Sequence, residues 1–234
     1  MQKVALITGG TSGVGLASAI RFARANFDVA ICGRDPSRLA QAKASIVAEN
    51  SQVKCLEIAA DLCDRSAPRA IAAAYAKVFG RIDVLVNNAG YASNMPFPQI
   101  TEAEYDRTME SNARSVFFLT QAVWPMMVSQ HQGVIVNISS LAAVSPFPGF
   151  AVYGSSKAWL DLFTIAIANE GKASGIRAYS IRPGAVETPM LRGLFPDFPS
   201  DQTVSPEAVA DVVWAVTQDE FRYSSGQAIA VTRQ

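Results

Sequence analysis

Val4-Ala5-Leu6-Ile7-Thr8-Gly9-Gly10-Thr11-Ser12-Gly13-Val14-Gly15 opens the chain with an apolar run that breaks into glycines and then resumes as a helical pattern. A short β-branched run reads as a strand, and Val14–Ala25 has the apolar spacing of a helix. Between them Gly9, Gly13 and Gly15, with Thr11, Ser12 and Val14, form a turn in which backbone replaces side chain. Such a turn lets the main chain approach a pyrophosphate closely, and the N–H groups and dipole of the following helix favour its negative charge. A glycine-rich turn alone also serves purely structural ends. The strand before it and the helix after it are what point to a nucleotide.

The same alternation continues along the chain. Val29–Cys32, Lys54–Ile58, Val84–Val86, Val134–Ile138, Ala178–Ile181 and Ala228–Val231 read as further strands, most of them continuous apolar runs suited to burial on both faces. Helical stretches such as Pro36–Glu49 and Ser66–Phe79 separate them. This order predicts an α/β, Rossmann-type, doubly wound parallel sheet of about seven strands flanked by helices, in one domain over 1–234. Thr188 to Pro206 breaks the rhythm with Pro189, Pro196, Pro199 and Pro206 around Phe195 and Phe198. Proline at that density opposes a regular helix and predicts a loop over 188–206 that covers the strand ends.

Composition narrows the classes. Half the residues are hydrophobic, and twenty basic side chains balance twenty acidic ones, which argues against a nucleic-acid partner. The first apolar run is too short for a membrane span, so no membrane partner and a cytoplasmic location are expected. Cys32, Cys55 and Cys63 contain no Cys-x-x-Cys pair and read as buried reduced thiols rather than a disulfide or metal site. Lone His131, in Ser129-Gln130-His131-Gln132-Gly133, reads as an exposed residue at a helix end. Trp124, Trp159 and Trp214 read as packing or subunit-contact residues.

The second strand runs into Gly33-Arg34-Asp35. An acidic residue at its end would bind ribose hydroxyls, whereas the planar cation of Arg34 suits a 2′-phosphate. The cofactor is therefore expected to be NADP, with NAD as the alternative. An arginine paired only with Asp35 or solvent is the plain reading that this must outweigh.

Five motifs follow in order: the turn at Thr8–Gly15, Asn87-Asn88-Ala89-Gly90, Ser140, Tyr153-Gly154-Ser155-Ser156-Lys157, and Pro183-Gly184. Together they resemble the single-domain branch of the short-chain dehydrogenase/reductase family, over essentially the whole chain. The resemblance implies that Asp61, beside Leu62, binds the adenine amino group, and that Asn88, Ala89 and Gly90 pack along the cofactor. It implies that Asn112 holds a water of a proton relay, and that Val186 and Thr188, after Pro183 and Gly184, hold the carboxamide and pyrophosphate. Ser140, thirteen residues before Tyr153, matches the catalytic serine, with Ser139 as its competitor. A basic residue found before Gly13 in some NADP-preferring members is Ser12 here, and the Asp-Gly-Gly tail common in the family is missing.

Tyr153 and Lys157, four apart on a helix, share a face. An ammonium and a positive nicotinamide ring nearby would lower a phenol pKa from its usual ~10 and make Tyr153 a general acid/base. Ser140 would hydrogen-bond the reacting oxygen and Lys157 the ribose. Substrate contacts are expected from Ser140, Tyr153, Phe147 and Met190, within apolar segments Tyr91–Phe97, Leu141–Phe150 and Ala185–Phe198 where Arg192 is the one cation. That favours a small apolar ketone or alcohol as substrate. A 3-oxoacyl-(acyl-carrier-protein) reductase is the alternative, although its basic patch is reduced here to His131 and Ser174 with Lys172 nearby. A non-catalytic NADP sensor is the alternative of another class. The resemblance further implies a homotetramer or homodimer paired through the long helices near Glu102–Ser129 and Val152–Ala173.

Overall fold

Seven strands lie side by side in one sheet, every neighbouring pair parallel, in the computed structural model, which describes residues 2–233. Met1 and Gln234, the ends of the expected domain, lie outside the described residues. In chain order the elements are β1 Val4–Thr8, α1 Gly13–Arg24, β2 Asp28–Gly33, α2 Pro36–Glu49, β3 Cys55–Ala59, α3 Ala67–Phe79 and β4 Val84–Asn87. There follow α4 Glu102–Met109, α5 Ser115–Gln130, β5 Gly133–Ile138, α6 Ala151–Gly171, β6 Ile176–Pro183, α7 Pro189–Leu194, α8 Pro206–Ala215 and β7 Ala228–Val231.

The strand order is β3-β2-β1-β4-β5-β6-β7, so the winding reverses between β1 and β4. Reversal sends the connections from β1 and β4 apart and opens a crevice beyond the carboxyl ends of those strands. Alternate residues of β1 serve opposite layers. Ala5 and Ile7 pack with Phe22 of α1 and Val209 of α8, while Val4 and Leu6 pack with Tyr75 of α3 and Leu119 of α5. Trp214 of α8 sets its edge on Phe22 and Phe27, with centroids 5.5 and 5.6 Å away, and so has the packing role expected of it.

Two expectations need correcting. The Pro-rich segment does contain helix, because Pro189 and Pro206 occupy the first turns of α7 and α8, where a missing N–H leaves no helical bond unmade. The helix expected over Glu102–Ser129 is interrupted by one π turn at Glu110–Arg114 between α4 and α5. The cysteines also differ from one another. Cys32 is buried and its thiol is pushed up to about 12 by desolvation, whereas Cys55 is partly exposed and Cys63 is exposed.

At the reversal point the turns after β1 and β4 are tied together. Thr8 Oγ1 accepts hydrogen bonds from the N–H groups of Asn88 and Ala89 at 2.9 Å each. The Asn88 amide donates to the Thr8 and Gly9 carbonyls at 2.9 and 3.2 Å. Gly15 closes this knot: a Cβ there would lie 2.3 Å from the Gly9 oxygen and 2.4 Å from Asn88 Nδ2. Gly15→Ala should therefore push the two turns apart, at a cost of about 1–3 kcal/mol and roughly 3–10 °C in Tm. Thermal melting checks this, and an unchanged Tm would contradict the packing described.

Candidate active site

Each expected residue can be placed from these elements. The glycine turn, with Thr11 and Ser12, lies between β1 and α1 at the reversal point. Gly9 and Gly13 adopt φ of 64° and 53°, the left-handed region that glycine tolerates. Ser12 begins α1 without a side-chain cap, whereas Asp35, Thr101 and Ser205 cap α2, α4 and α8. The α1 terminus thus presents backbone donors with no side chain over them, beside a cradle that a Cβ at Gly15 would fill. Those two features fit a dinucleotide pyrophosphate.

Arg34 follows Gly33 at the end of β2 and is exposed. Asp35 does not engage it. The Asp35 carboxylate accepts from the N–H groups of Ser37 and Arg38 at 2.8 and 3.3 Å, capping α2. Asp61 lies beyond β3, where its carboxylate accepts from the Cys63 N–H at 3.0 Å, and Leu62 is partly buried beside it. On the far side, Thr188 brings its methyl toward Gly13, whose added Cβ would be 3.0 Å away. The Thr188 hydroxyl donates to the Val186 carbonyl at 3.2 Å and accepts from the Leu191 N–H, so it caps α7. Pro183 and Gly184 lead from β6 into this segment.

The four expected catalytic residues come from three places. Ser140 follows β5, Tyr153 and Lys157 lie on α6, and Asn112 sits in the π turn. The competition between the two serines resolves by direction. Ser139 is buried with its hydroxyl donating to the Lys157 carbonyl at 3.1 Å, while Ser140 is partly buried and its Oγ accepts from the Ala142 N–H at 3.1 Å. Lys157 is 4% exposed, and its Nζ donates to the Ile138 carbonyl at 2.8 Å and stands 5.7 Å from the Tyr153 ring centroid. Gly90 makes room on the other side, where a Cβ would lie 3.2 Å from Asn112 Oδ1 and 3.5 Å from Lys157 Nζ.

Asn112 is more tightly held than its expected water-binding role suggests. Its Oδ1 accepts from the Tyr91 N–H at 2.7 Å, and its amide donates to the Tyr91 carbonyl at 2.8 Å and to Ser156 Oγ at 3.0 Å. Both amide hydrogens are therefore used by protein. Ser156 in turn donates to the Tyr153 carbonyl at 2.7 Å. Ser156 had no role in the sequence reading. Its partner lies on a different helix, and its place inside the Tyr-x-x-x-Lys run was the one available signal.

Desolvation dominates the electrostatics of the pair. Burial raises the Tyr153 phenol above its ordinary value, and the Ser140 hydrogen bond offsets this only in part. Desolvation also lowers Lys157 to about 8, opposed by the charge of Asp161. Desolvation thus opposes the charged form of both groups, although an amine near 8 remains mainly an ammonium at neutral pH.

Aromatic rings wall the site. Phe150 lies 5.3 Å from Tyr153 and 5.9 Å from Phe195, centroid to centroid. Phe147 packs edge-on against Phe150 with centroids 6.3 Å apart, and Phe147 and Met190 are 67% and 45% exposed. Arg192 is not a free cation either. Its guanidinium grips Glu187 through two bonds of 2.7 and 2.6 Å and donates to the carbonyls of Pro196 and Phe198.

The short chain dehydrogenase family model matches residues 3–198, and the chain belongs to that family. It is similar to 2-(R)-hydroxypropyl-CoM dehydrogenase of Xanthobacter autotrophicus, at 33% identity over 99% of this chain and 97% of the relative. It is also similar to the 3-oxoacyl-(acyl-carrier-protein) reductase FabG of Thermotoga maritima, at 34% identity over 98% and 96%. Among solved structures, levodione reductase matches with a TM-score of 0.92 and 28% identity, covering 98% of this chain and 96% of its own. The Brucella melitensis 3-ketoacyl-(acyl-carrier-protein) reductase complexed with NADH matches with a TM-score of 0.88 and 30% identity, covering 98% and 96%. The protein is accordingly an oxidoreductase of CH–OH or carbonyl groups that uses a nicotinamide cofactor.

Burial of Lys157 has a measurable cost. An amine that titrates near 10.5 in the unfolded chain and near 8 when folded destabilises the fold fully below pH 8, and the penalty fades as pH rises toward 10.5. Lys157→Met should therefore stabilise the protein below pH 8 by on the order of 2 kcal/mol, after allowing for the Ile138 carbonyl left unpaired. Denaturant melts of both proteins from below pH 8 up to about 10.5, across which the difference should shrink, check it. A stability difference independent of pH would contradict the buried-charge account.

Proposed function

We propose that the protein is an NADP(H)-dependent oxidoreductase that moves a hydride between nicotinamide and a small apolar ketone or secondary alcohol, with Tyr153 as general acid/base. The observation that carries this reading is the group of Ser140, Tyr153 and Lys157 at the strand ends, the lysine buried and the other two partly buried, with Phe150 packed on Tyr153 and Phe195 on Phe150. When bound, the nicotinamide supplies the hydride. Tyr153, kept protonated by burial, gives its proton to the carbonyl oxygen during reduction. Because Ser140 Oγ already accepts from the Ala142 N–H, its hydroxyl hydrogen is left to donate to the same oxygen and stabilise the charge that develops there. Lys157 holds the ribose hydroxyls, and its ammonium draws the phenol toward phenolate when the reaction runs as an oxidation. Asn112 and Ser156 fix α6 against the turn after β4. Asp61, Leu62, Asn88, Ala89, Gly90, Val186 and Thr188 complete the cofactor contacts.

Support for NADP comes from Arg34, exposed at the end of β2 beside an Asp35 whose carboxylate caps α2. Support for an apolar substrate comes from the aromatic wall and from the engagement of Arg192 by Glu187, which removes the expected cation. Segment 188–206 covers the site through α7 and Phe195. A homodimer or homotetramer is favoured by the outer faces of α5 and α6, where Phe117, Leu162 and Ile165 are exposed around a Trp159–Phe163 stack. Among the described residues no helix is long and apolar enough to cross a membrane, and free cysteines suit the cytoplasm.

Carrier-bound 3-oxoacyl groups are the second reading, favoured by the printed activity of two similar proteins. Against it, His131 and Ser174 precede β5 and β6, whereas Ser140 follows β5. A strand of six residues separates these ends by roughly 20 Å, and neither His131 nor Ser174 is the lysine or arginine that would draw an acidic carrier there.

Tyr153→Phe should lower turnover by about 10²–10⁴-fold with cofactor binding retained. A panel of free ketones, polyanionic sugars and carrier-bound ketones, with this variant as control, tests both reaction and substrate. Full activity in the variant overturns the mechanism, and strict dependence on carrier or polyanion overturns the substrate class. Arg34→Ala should weaken NADPH binding about tenfold or more while sparing NADH. Equal losses for both cofactors, or none, would remove the argument for NADP.

A further inference from the structure

Tyr153, Lys157 and Asp161 recur at four-residue intervals along α6 and so share one face of the helix. Asp161 is buried, and a buried carboxylate needs partners. It finds them on β6. Ser180 Oγ donates to one of its oxygens, and Arg182 Nε donates to the other at 2.7 Å. Ser180 and Arg182 are two residues apart and therefore face the same side of the strand, and the next residues, Pro183 and Gly184, begin the segment that runs to Thr188. One carboxylate thus joins the helix of the catalytic pair to the strand that leads into the cofactor-side loop.

We propose that Asp161 is a positioning residue: anchored to β6 by Ser180 and Arg182, it holds the catalytic face of α6 against the sheet and gives the buried Lys157 ammonium its counter-charge. The inference rests on reading Tyr153 and Lys157 as the proton-handling pair. The groups facing Lys157 are few. Tyr153 and Asp161 lie on its own helix, β5 offers the Ile138 carbonyl, and the turn after β4 and the π turn bring Gly90 and the neutral Asn112 amide. From β6 the charge of Arg182 acts through its bond to Asp161. Asp161 is the charged group that works against desolvation at Lys157. An amide keeps the size of the side chain and can still accept from Ser180, although its NH2 then faces Arg182, so melting must show how much of the anchor it retains. What an amide cannot supply is the negative charge.

The proposal predicts shifts of opposite sign in two variants. With Asp161→Asn, Lys157 loses its counter-charge and should titrate lower by at least about 0.5 unit. With Arg182→Gln, the charge of Asp161 faces Lys157 without competition and the titration should move up. Both are read in cofactor-free, full-length protein from the 13C shift of the lysine ε-carbon against pH, the signal being assigned by its loss in Lys157→Met. Thermal melts establish which variants are folded. In folded Asp161→Asn, the pH limb of NADPH binding should move down with the amine, leaving the pH-independent affinity nearly unchanged. An unmoved titration in folded Asp161→Asn, or shifts of the same sign in both variants, overturns the proposal. Should Asp161→Asn fail to fold, Arg182→Gln decides alone, an upward shift supporting the assignment and no shift rejecting it. Because this titration needs no turnover, its failure is separable from failure of the catalytic reading, which Tyr153→Phe tests.

Discussion

The Thr8 hydroxyl and the Asn88 amide hold together the one place where the sheet's winding pulls the chain apart. Connections leaving β1 and β4 run in opposite directions, and without a tie the crevice between them would have no fixed width. Thr8 Oγ1 takes two backbone donors from the turn after β4, and Asn88 returns two bonds to the turn after β1. All four bonds are local, yet they set a distance on which distant groups depend. The same β4 turn carries Gly90, whose lack of a side chain admits Asn112 Oδ1 and Lys157 Nζ, and Tyr91, whose backbone fastens Asn112. A shift of an ångström at Asn88 would therefore be felt at Lys157 through rigid backbone.

From that fixed wall, α6 brings the reactive side chains inward, and burial decides their protonation. Desolvation opposes charge on the phenol and on the amine alike, so the protein by itself holds Tyr153 as an acid and weakens Lys157 as a cation. This state suits proton donation to a carbonyl. Oxidation of an alcohol requires the opposite form of Tyr153, which neighbouring positive charge must stabilise. Under the proposed mechanism the site would work in both directions only when charge enters it from outside, and Asp161 would keep the ammonium character on Lys157 that ribose binding needs. Ser139 and Ser156 meanwhile fasten α6 from two sides without entering the chemistry, one through the Lys157 carbonyl and the other through the Tyr153 carbonyl.

Much of this was legible in the sequence because it is local. Continuous apolar runs located all seven strands to within a residue or two, and the boundaries of β1, α2 and β7 agree. Of the two competing serines, Ser139 has its hydroxyl turned to the Lys157 carbonyl, whereas Ser140 Oγ meets the Ala142 N–H. What could not be read depends on partners distant in sequence. The π turn at Glu110–Arg114 leaves no clear mark in composition, yet it carries Asn112 between Tyr91 and Ser156. The prolines of 188–206 read as helix breakers, yet two of the four, Pro189 and Pro206, lie in the first turns of α7 and α8 and start those helices. The raised phenol pKa was hidden for a similar reason: spacing reveals a neighbouring lysine, whereas the extent of desolvation depends on the whole surrounding wall.

Arg192 shows how such a partner changes the meaning of a residue. As a sequence symbol it is a cation in an apolar loop, suited to a carboxylate or sulfonate on a substrate. In the fold its two Glu187 bonds and its bonds to the Pro196 and Phe198 carbonyls occupy the guanidinium on both edges. Glu187 lies beside Thr188, which abuts Gly13, and Phe198 lies just beyond Phe195 on the covering segment. Each exposed bond adds little by itself, but four on one planar group couple the loop's base to its tip. The segment is thereby stapled as a unit that presents Phe195 toward Phe150 and Tyr153. An anionic substrate would have to break this staple to gain a partner, whereas a neutral one meets an aromatic wall already in place. The same arginine that could have recruited charge is engaged within the loop, and that engagement supports the neutral substrate proposed above.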